Sequence, residues 1–407
     1  MAFWSKPLSL AAKGTARVPV AINQKGIMQF SRWCRYGWAG LLWMLGCVEP
    51  FEADLQYRAD LLTVEGTLTD LAEPQVIRLR RVVASERNST NAPLPGAGVT
   101  VLVDGQTRVA FTEQTAGDYY APASFRAEAG RTYQLRLQVP GRGEYQSTVE
   151  RMPAGRPITR VYDSFDAEAV QARSVGTLVV FQPGHRLYID TQDPPNERNF
   201  YQWTWTLWEN QSVCQTCNQG LFYPGRGCVF DASLSADIVY DYQCDRRCWQ
   251  IIRSQQINAM ADTYYDGRPI TARQVAVIPY YNSSGALLEI RQQSLTLGAF
   301  QYAKLLADQS QNTGSLADTP PASIFGNVSG VTNPNDKAVG YFSAASVSRE
   351  RYWIDRRNVP IGIRPIGLLG GRIFSPEPMS GPPIRPPQAP CTPGGILTPV
   401  RPEGWRD

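Results

Sequence analysis

Six cysteines carry the most specific chemistry in this sequence. Five fall within 35 residues and the sixth lies far downstream; they are Cys214, Cys217, Cys228, Cys244, Cys248 and Cys391. An even number of cysteines in an exported chain is typical of disulfides, and segment 214–248 contains little apolar material that could hold it by packing. We therefore predict a disulfide-held loop over 214–248, with Cys391 tethering the C-terminal tail to it.

Structural zinc is the alternative for the same residues. The pairs Cys214 and Cys217, and Cys244 and Cys248, have the close spacing of ligands in a structural zinc site. An oxidising compartment converts such thiols to disulfides, and nothing around Cys214 resembles the strand-to-helix context of a redox-active cysteine pair. We predict no metal and no cofactor.

A separate cysteine, Cys47, follows a short apolar run. Arg32 and Arg35 precede the run, which covers residues 36–45, and Gly46 supplies a small residue directly before the cysteine. A positive region, a short apolar region and a small residue at the cleavage point are the parts of a secretory signal. A cysteine at that point is the one that a lipoprotein pathway acylates, so we predict a covalent lipid on Cys47.

This interpretation divides the N-terminal part of the chain. Residues 1–46 form the predicted signal peptide, with Met28 as the predicted true start, and residues 47–61 form an acidic tether. The alternative is an uncleaved membrane anchor, but the apolar run 36–48 is shorter than the roughly 20 residues that a membrane-spanning helix needs.

Catalytic groups are sparse. His185 is the only histidine, and Pro183 and Gly184 before it predict a solvent-facing turn. A Ser-His-Asp or Cys-His arrangement would depend on that one residue. Carboxylates that could serve a hydrolase are Asp241, Asp245, Asp262 and Asp266. Because no phosphate-binding, nucleophile-elbow, zinc-protease or dinucleotide motif is present, we predict that the protein is not an enzyme.

Net charge argues against a nucleic-acid partner. The chain has 40 basic and 36 acidic residues, a formal charge of +4, but six of the basic residues and none of the acidic ones precede Cys47. Removing these six leaves 34 basic against 36 acidic residues, so the chain from Cys47 onward is close to −2. A nearly neutral chain offers no general attraction to polyanions.

The elements that must position these groups are mainly β-strands. With 34 glycines and 31 prolines the chain is rich in turns, and residues 62–153 contain six or seven short strand signals. In 132–139 every second residue is apolar, as in a half-buried strand. Residues 62–153 resemble a small antiparallel β-sandwich of the immunoglobulin or transthyretin-like type, which usually acts as a scaffold.

A larger β-rich domain is predicted over 154–357, with one or two helices. Large side chains alternate on one face of a strand and are assigned to the core in preference to an aromatic ligand platform; they are Tyr201, Trp203, Trp205 and Leu207. Strands over 270–281 and 286–295 are expected to form a hairpin closed by 282–285, followed by a helix over 296–309. The proline-rich tail 358–407 is expected to lie as extended chain over the surface.

Several segments resemble an uncharacterised lipoprotein family of the Bacteroidota. Those carrying the resemblance are CVEPFEADLQYRADLLTVEGTLTD (47–70), QWTWTLWE (202–209), CWQIIRSQQIN (248–258), 314–354, and CTPGG (391–395) with Pro402 and Trp405. Segment 314–354, with its succession of GNV and VGYF, is the most specific. The resemblance covers nearly all of the chain from Cys47 onward.

The resemblance carries an expectation about function. Members are known only as a domain of unknown function and are often encoded beside TonB-dependent outer-membrane receptors. It implies a lipid-anchored accessory protein at the outer membrane that contributes to ligand capture, with such a receptor or another outer-membrane complex as partner. Acidic residues after Cys47 are similar to the signal for display on the cell surface, although they also suit a solvated tether. The alternatives are a structural or assembly lipoprotein and, third, a carboxylate-dependent hydrolase.

Overall fold

Alternating apolar residues and frequent glycine turns produce a protein whose regular structure is almost wholly β-strand. The computed structural model describes residues 59–84, 89–175, 178–310, 324–378 and 387–407. All of them belong to one unit, 57–407. The predicted signal peptide, Cys47 and nearly all of the tether lie outside the described residues.

Nine strands cover the region of the predicted first domain. They are β1 (Ala59–Thr69), β2 (Val76–Ala84), β3 (Ser89–Pro93), β4 (Gly98–Val103), β5 (Thr107–Thr115), β6 (Asp118–Tyr120), β7 (Thr132–Val139), β8 (Gly143–Ser147) and β9 (Glu150–Arg151). Strand β7 buries every second residue, as the sequence pattern predicts.

Thirteen strands and one helix follow among the described residues. The strands are β10 (Ile158–Val175), β11 (Leu178–Gln192), β12 (Phe200–Asn218), β13 (Gly220–Tyr223), β14 (Gly227–Phe230), β15 (Val239–Arg253), β16 (Asn258–Ala261), β17 (Pro269–Pro279), β18 (Ala286–Leu295), β19 (Phe325–Gly330), β20 (Lys337–Val339), β21 (Phe342–Ile354) and β22 (Leu397–Thr398). The helix is α1 (Leu297–Ser310), which confirms the helix predicted over 296–309.

Strand β21 joins the two halves of the main sheet. Its first residues, 342–345, pair in parallel with β1, and residues 346–354 pair antiparallel with β18. Strand β19 also pairs with a strand from much earlier in the chain, because it lies antiparallel to β8. The core of the first half consequently includes residues from late in the chain: Val328, Ala338, Phe342 and Ala344. The domain boundary near residue 153 and the β-sandwich form of residues 62–153 stay predictions.

A second core lies between the three-stranded sheet β10–β11–β17 and the sheet that contains β12, β18 and β21. Tyr201, Trp203 and Leu207 are buried in it, and Trp205 packs against it. This confirms that the aromatic face of β12 belongs to the core. Burial of such large apolar groups from both sheets is the main force that holds the two layers together.

The predicted hairpin over 270–295 is wrong. Strand β17 pairs with β11, whereas β18 pairs with β12 and β21, so the two strands lie in different sheets. The connection 282–285 crosses from one layer to the other around the buried guanidinium of Arg356, which donates to the carbonyl oxygens of Asn282 and Ser284 at 3.2 and 3.1 Å. Turn residues between two strands indicate a change of direction but do not specify which strands pair.

Two glycines let the segments GNV and VGYF meet. A Cβ on Gly326 would overlap the carbonyl oxygen of Gly340, and one on Gly340, whose φ is +93°, would overlap the carbonyl oxygen of Val64. Beside them the Asn327 amide receives a hydrogen bond from the Phe342 nitrogen at 2.9 Å and donates to the Phe342 oxygen at 2.8 Å. Glycine is required where backbones approach this closely.

The described part of the tail crosses strand β15. Residue Leu397 of β22 pairs with Gln250, and the Ala389 nitrogen donates to the Gln243 oxygen at 2.9 Å. Most of the other described tail residues, within 358–378 and 387–407, have no regular structure, as expected where proline removes backbone donors. No helix within the described ranges has the length and apolar character required to cross a membrane.

Candidate functional site

The six downstream cysteines form three disulfides, in agreement with the prediction. The structure pairs Cys214 with Cys244, Cys217 with Cys228, and Cys248 with Cys391. Two of the bonds lie within segment 214–248, which consists largely of the end of β12, the strands β13 and β14 and the start of β15, and the third joins the tail to β15. The sulfurs of Cys214, Cys244 and Cys248 lie within 4.8 Å of one another, but a sulfur in a disulfide is not a thiolate and cannot act as the zinc ligand that the spacing also suggested.

The tail is held by charge as well as by sulfur. Arg372 makes two hydrogen bonds to the buried Asp241, at 2.6 and 2.7 Å, and the Ser375 nitrogen donates to the same carboxylate at 2.9 Å. Burial alone would raise the pKa of Asp241, but these donors together with Thr216 lower it to about 2. Asp241 is therefore a charged anchor for the tail.

His185 is not in a solvent-facing turn, so that prediction is wrong. It lies within strand β11 and is only 1% exposed. Its Nδ1 is 2.6 Å from Asp163 Oδ2, and the Tyr352 hydroxyl donates to the other oxygen of Asp163 at 2.5 Å. The strand continues through the Pro-Gly pair. Glycine is needed at position 184 because a Cβ there would lie only 2.6 Å from the carbonyl oxygen of Ile278 on the neighbouring strand. Within the described residues the ring Nε2 has no hydrogen-bond partner, so no hydroxyl or thiol there is activated by it.

The other candidate carboxylates hold loops. Asp262 accepts a hydrogen bond from the Asn199 nitrogen at 2.7 Å, and Asp266 accepts one from the Asn196 nitrogen at 2.6 Å. Asp245 bonds to Arg246 and accepts from the Cys391 nitrogen at 3.2 Å. Each of these interactions orders a turn or the tail, and none joins two of the predicted aspartates across a cavity.

A cleft that sequence reasoning missed lies beside Glu150. We call it the Glu150 cleft; it has a volume of about 600 Å³, and its lining includes Thr148, Val149, Glu150, Arg151, Arg198, Asn199, Thr296, Leu297, Asn327 and Tyr341. A volume of this size is within the range of small-molecule sites. The lining comes from β9, β18, β19, the start of α1, the loop before β12 and the connection between β20 and β21, so only the folded chain assembles it.

Glu150 is only 5% exposed, and both of its carboxylate oxygens accept hydrogen bonds. Its Oε1 receives hydrogen bonds from Thr148 Oγ1, Asn327 Nδ2 and the Tyr341 hydroxyl at 3.1, 3.2 and 3.0 Å, and its Oε2 receives one from Thr296 Oγ1 at 2.5 Å. Burial and the adjacent carboxylate raise the pKa of Tyr341. A carboxylate with four donors is a structural centre, and we do not assign it the role of a general base.

Helix α1 contributes to the same centre through its N-terminus. Thr296 precedes the helix and accepts a hydrogen bond from the Ala299 nitrogen at 3.2 Å while donating to Glu150. A threonine before the first helical turn is a favourable N-cap, and a nearby carboxylate interacts favourably with the positive end of the helix dipole. The sequence therefore places Thr296 at the junction of helix and cleft.

The open part of the cleft combines positive charge with apolar surface. Arg151 and Arg198 are exposed at its edge, and within the described ranges neither guanidinium has an ion-pair partner. Val149 and Leu297 expose 59% and 49% of their surface beside them. Two unpaired guanidiniums attract a carboxylate or another anion, and the aliphatic groups suit an apolar moiety next to it.

One signal could have indicated part of this cleft. Asn327 and Tyr341 belong to the GNV and VGYF motifs, the most specific part of the family resemblance, and both reach Glu150. Nothing in the sequence connects them to Arg151 or Arg198, which are distant along the chain.

Comparison with protein-family models identifies a family for most of the chain. Residues 48–351 match the model described as Domain of unknown function (DUF4249). Comparisons with curated proteins and with solved structures find no match for the chain. The matched residues cover most of the sequence and contain both motifs that meet at the cleft. The chain therefore belongs to the DUF4249 family.

Proposed function

We propose that this protein is a lipid-anchored, cell-surface accessory protein of a TonB-dependent outer-membrane transporter, and that it captures ligand in the Glu150 cleft. The observation that carries the capture role is the pair of unpaired guanidiniums beside exposed aliphatic groups in a cavity of about 600 Å³. The expected ligand has a carboxylate next to an apolar group, as at the C-terminus of a peptide.

The anchoring role is supported by the sequence before the described residues. Basic residues, a short apolar run and Gly46 precede Cys47, the arrangement of a lipoprotein signal. The resemblance to lipoproteins of the Bacteroidota supports the same location and the receptor as partner. A β-sandwich over residues 62–153 is the proposed scaffold, and its last residues, 148–153, contribute to the lining of the cleft.

Replacing both arginines of the cleft should weaken ligand binding. We expect Arg151→Ala/Arg198→Ala to reduce affinity for short peptides with a free C-terminal carboxylate and an apolar last residue by at least about tenfold, since two charge-assisted contacts are lost. Titration calorimetry with one such peptide and with its amide-capped form measures the effect.

The control is Arg108→Ala, which removes an exposed arginine of β5 outside the cleft. It should leave affinity unchanged, and the amide-capped peptide should bind wild type weakly. Equal binding of free and capped peptides, or equal affinity of the double variant and wild type, would contradict capture through these arginines.

Lipid attachment should depend on Cys47. We expect intact-mass analysis of protein isolated from its host membrane to show acyl chains on an N-terminal cysteine, and Cys47→Ala to release the protein from the membrane, because the acyl chains supply the binding energy. Co-purification from solubilised membranes should recover an outer-membrane receptor. An unmodified cysteine would refute the lipid anchor. The test of ligand binding in the Glu150 cleft does not depend on that result.

A structural or assembly role is the second candidate. It is favoured by the way the tail is attached to β15, through a disulfide, a short β-ladder and the ion pair of Arg372 with Asp241. Recovery of assembly proteins in place of a receptor, with a general envelope defect on deletion, would support it. We do not propose a hydrolase, because each candidate aspartate already accepts hydrogen bonds that order a loop or the tail.

A further inference from the structure

A second cavity, which shares no lining residue with the Glu150 cleft, is built around three tryptophans. We call it the tryptophan pocket; it has a volume of about 530 Å³ and is lined by Asn210, Arg247, Trp249, Ser283, Ser284, Gly285, Trp353, Asp355, Arg357, Trp405, Arg406 and Asp407. Trp405 packs edge to face against both other indoles, with ring centroids 5.8 Å from Trp249 and 5.1 Å from Trp353. Trp353 and Trp405 are half-buried, so part of each indole faces the pocket.

The pocket is assembled by tertiary structure from five segments of the chain. Trp353 lies against Gly285, where a Cβ would overlap the indole ring, so the absence of a side chain allows the ring to lie there. The tail delivers Trp405, and Arg351 holds it by donating to the Glu403 carbonyl and carboxylate at 2.9 and 2.7 Å. Because these contacts order the aromatic groups before a ligand arrives, little further conformational entropy is lost on binding.

Charge in this pocket is largely compensated, in contrast to the Glu150 cleft. Arg357 Nε is 2.9 Å from Asp355 Oδ1, and Arg247 is 2.8 Å from Asp407. Two of the three arginines that line the pocket are therefore paired. A compensated set of charged groups does not select a strongly anionic ligand, but it offers many hydrogen-bond donors and acceptors around the indole faces.

From this geometry we infer that the tryptophan pocket binds a neutral saccharide. A sugar ring has an apolar face of C–H groups that can pack on an indole and a rim of hydroxyls that both donate and accept hydrogen bonds. The pocket supplies both kinds of surface: Trp353 and Trp405 for the ring face, and the amide, hydroxyl, guanidinium and carboxylate groups for the hydroxyls. This site is independent of the cleft proposed for ligand capture.

The test is titration of the full protein, solubilised in a detergent that has no sugar headgroup, with defined neutral oligosaccharides. The probes are cellopentaose, maltopentaose, mannopentaose and fully N-acetylated chitopentaose, with binding followed by calorimetry and by tryptophan fluorescence. We expect at least one to bind, and Trp353→Ala and Trp405→Ala each to weaken that binding by about tenfold or more, as for an aromatic residue central to an interface. A matched control, Tyr264→Ala, removes an aromatic side chain that is 84% exposed and outside the pocket, and it should have no effect.

A blocking variant keeps the test decisive if an alanine variant is unstable. Ser283 is exposed at the pocket edge, so Ser283→Tyr should obstruct the cavity without disturbing core packing, and its thermal unfolding should match wild type. It should abolish saccharide binding while leaving peptide binding in the Glu150 cleft unchanged. The inference is overturned if none of the four saccharides binds wild type, or if the folded blocking variant binds as well as wild type.

Discussion

Replacing Glu209 by alanine is expected to lower the free energy of unfolding by about 3–5 kcal/mol, because Arg356 then keeps a buried charge without its counter-ion. Both side chains are completely shielded from solvent. Their contacts are short, with Arg356 Nη2 2.5 Å from Glu209 Oε1 and Nη1 2.9 Å from Oε2. Chemical denaturation of variant and wild type measures the loss.

An exposed ion pair provides the control. Lys304 and Asp308 are one turn apart on α1, and their side chains are 60% and 57% exposed. Lys304→Ala should change the free energy of unfolding by no more than about 0.5 kcal/mol, since solvent and salt screen such pairs. If Glu209→Ala costs as little as this control, the buried pair does not hold the connection 282–285 between the two layers.

The same pair has a pH signature that separates it from simple loss of packing. Burial raises the pKa of the Glu209 carboxyl, and Arg356 opposes that rise, so Arg356→Met should raise it further. With a folded-state pKa above the unfolded value, the folded variant binds more protons. Its stability should therefore increase as the pH falls from about 7 toward the ordinary glutamate pKa of about 4.3. Glu209→Ala has no such carboxyl and should lack this gain.

Removing the disulfide between Cys248 and Cys391 is the second change with a large expected effect. The two residues are 143 apart in sequence, and the loop-closure model assigns such a crosslink up to about 5 kcal/mol of stability. Cys248→Ala/Cys391→Ala should lower the free energy of unfolding by a large part of that amount. It should also speed proteolysis within residues 358–407, since the tail then depends on Asp241 and the β22 ladder.

A local disulfide gives the matched comparison. Cys217 and Cys228 are only 11 residues apart, so the same model assigns their bond about 3 kcal/mol. Cys217→Ala/Cys228→Ala should cost less and should leave the proteolysis of the tail as in wild type. If both double variants lose the same stability and the tail stays protected in both, the long-range bond does not tether the tail.

Local pattern succeeded where the physical cause was local. Alternation along β7 and β12 identified which faces are buried, because successive side chains of a strand point to opposite sides. The helix predicted over 296–309 agrees with α1, because the residue spacing that favours a helix acts within a few residues. The cysteine count indicated disulfides, because chemistry and compartment decide that class of bond.

Only tertiary structure decided which of these elements meet. Nothing in the local sequence of β18, which is buried along most of its length, indicated that it pairs with β12 and β21 instead of β17. In the same way, the Pro-Gly pair did not reveal that His185 continues a buried strand. Arg151 and Arg198 become neighbours of one cleft, and Trp249, Trp353 and Trp405 of one pocket, through pairings between distant segments. The sequence by itself determined the strand-rich character, the core faces and the bonding class of the cysteines, whereas partner strands and both cavities depend on long-range packing that short-range periodicity does not encode.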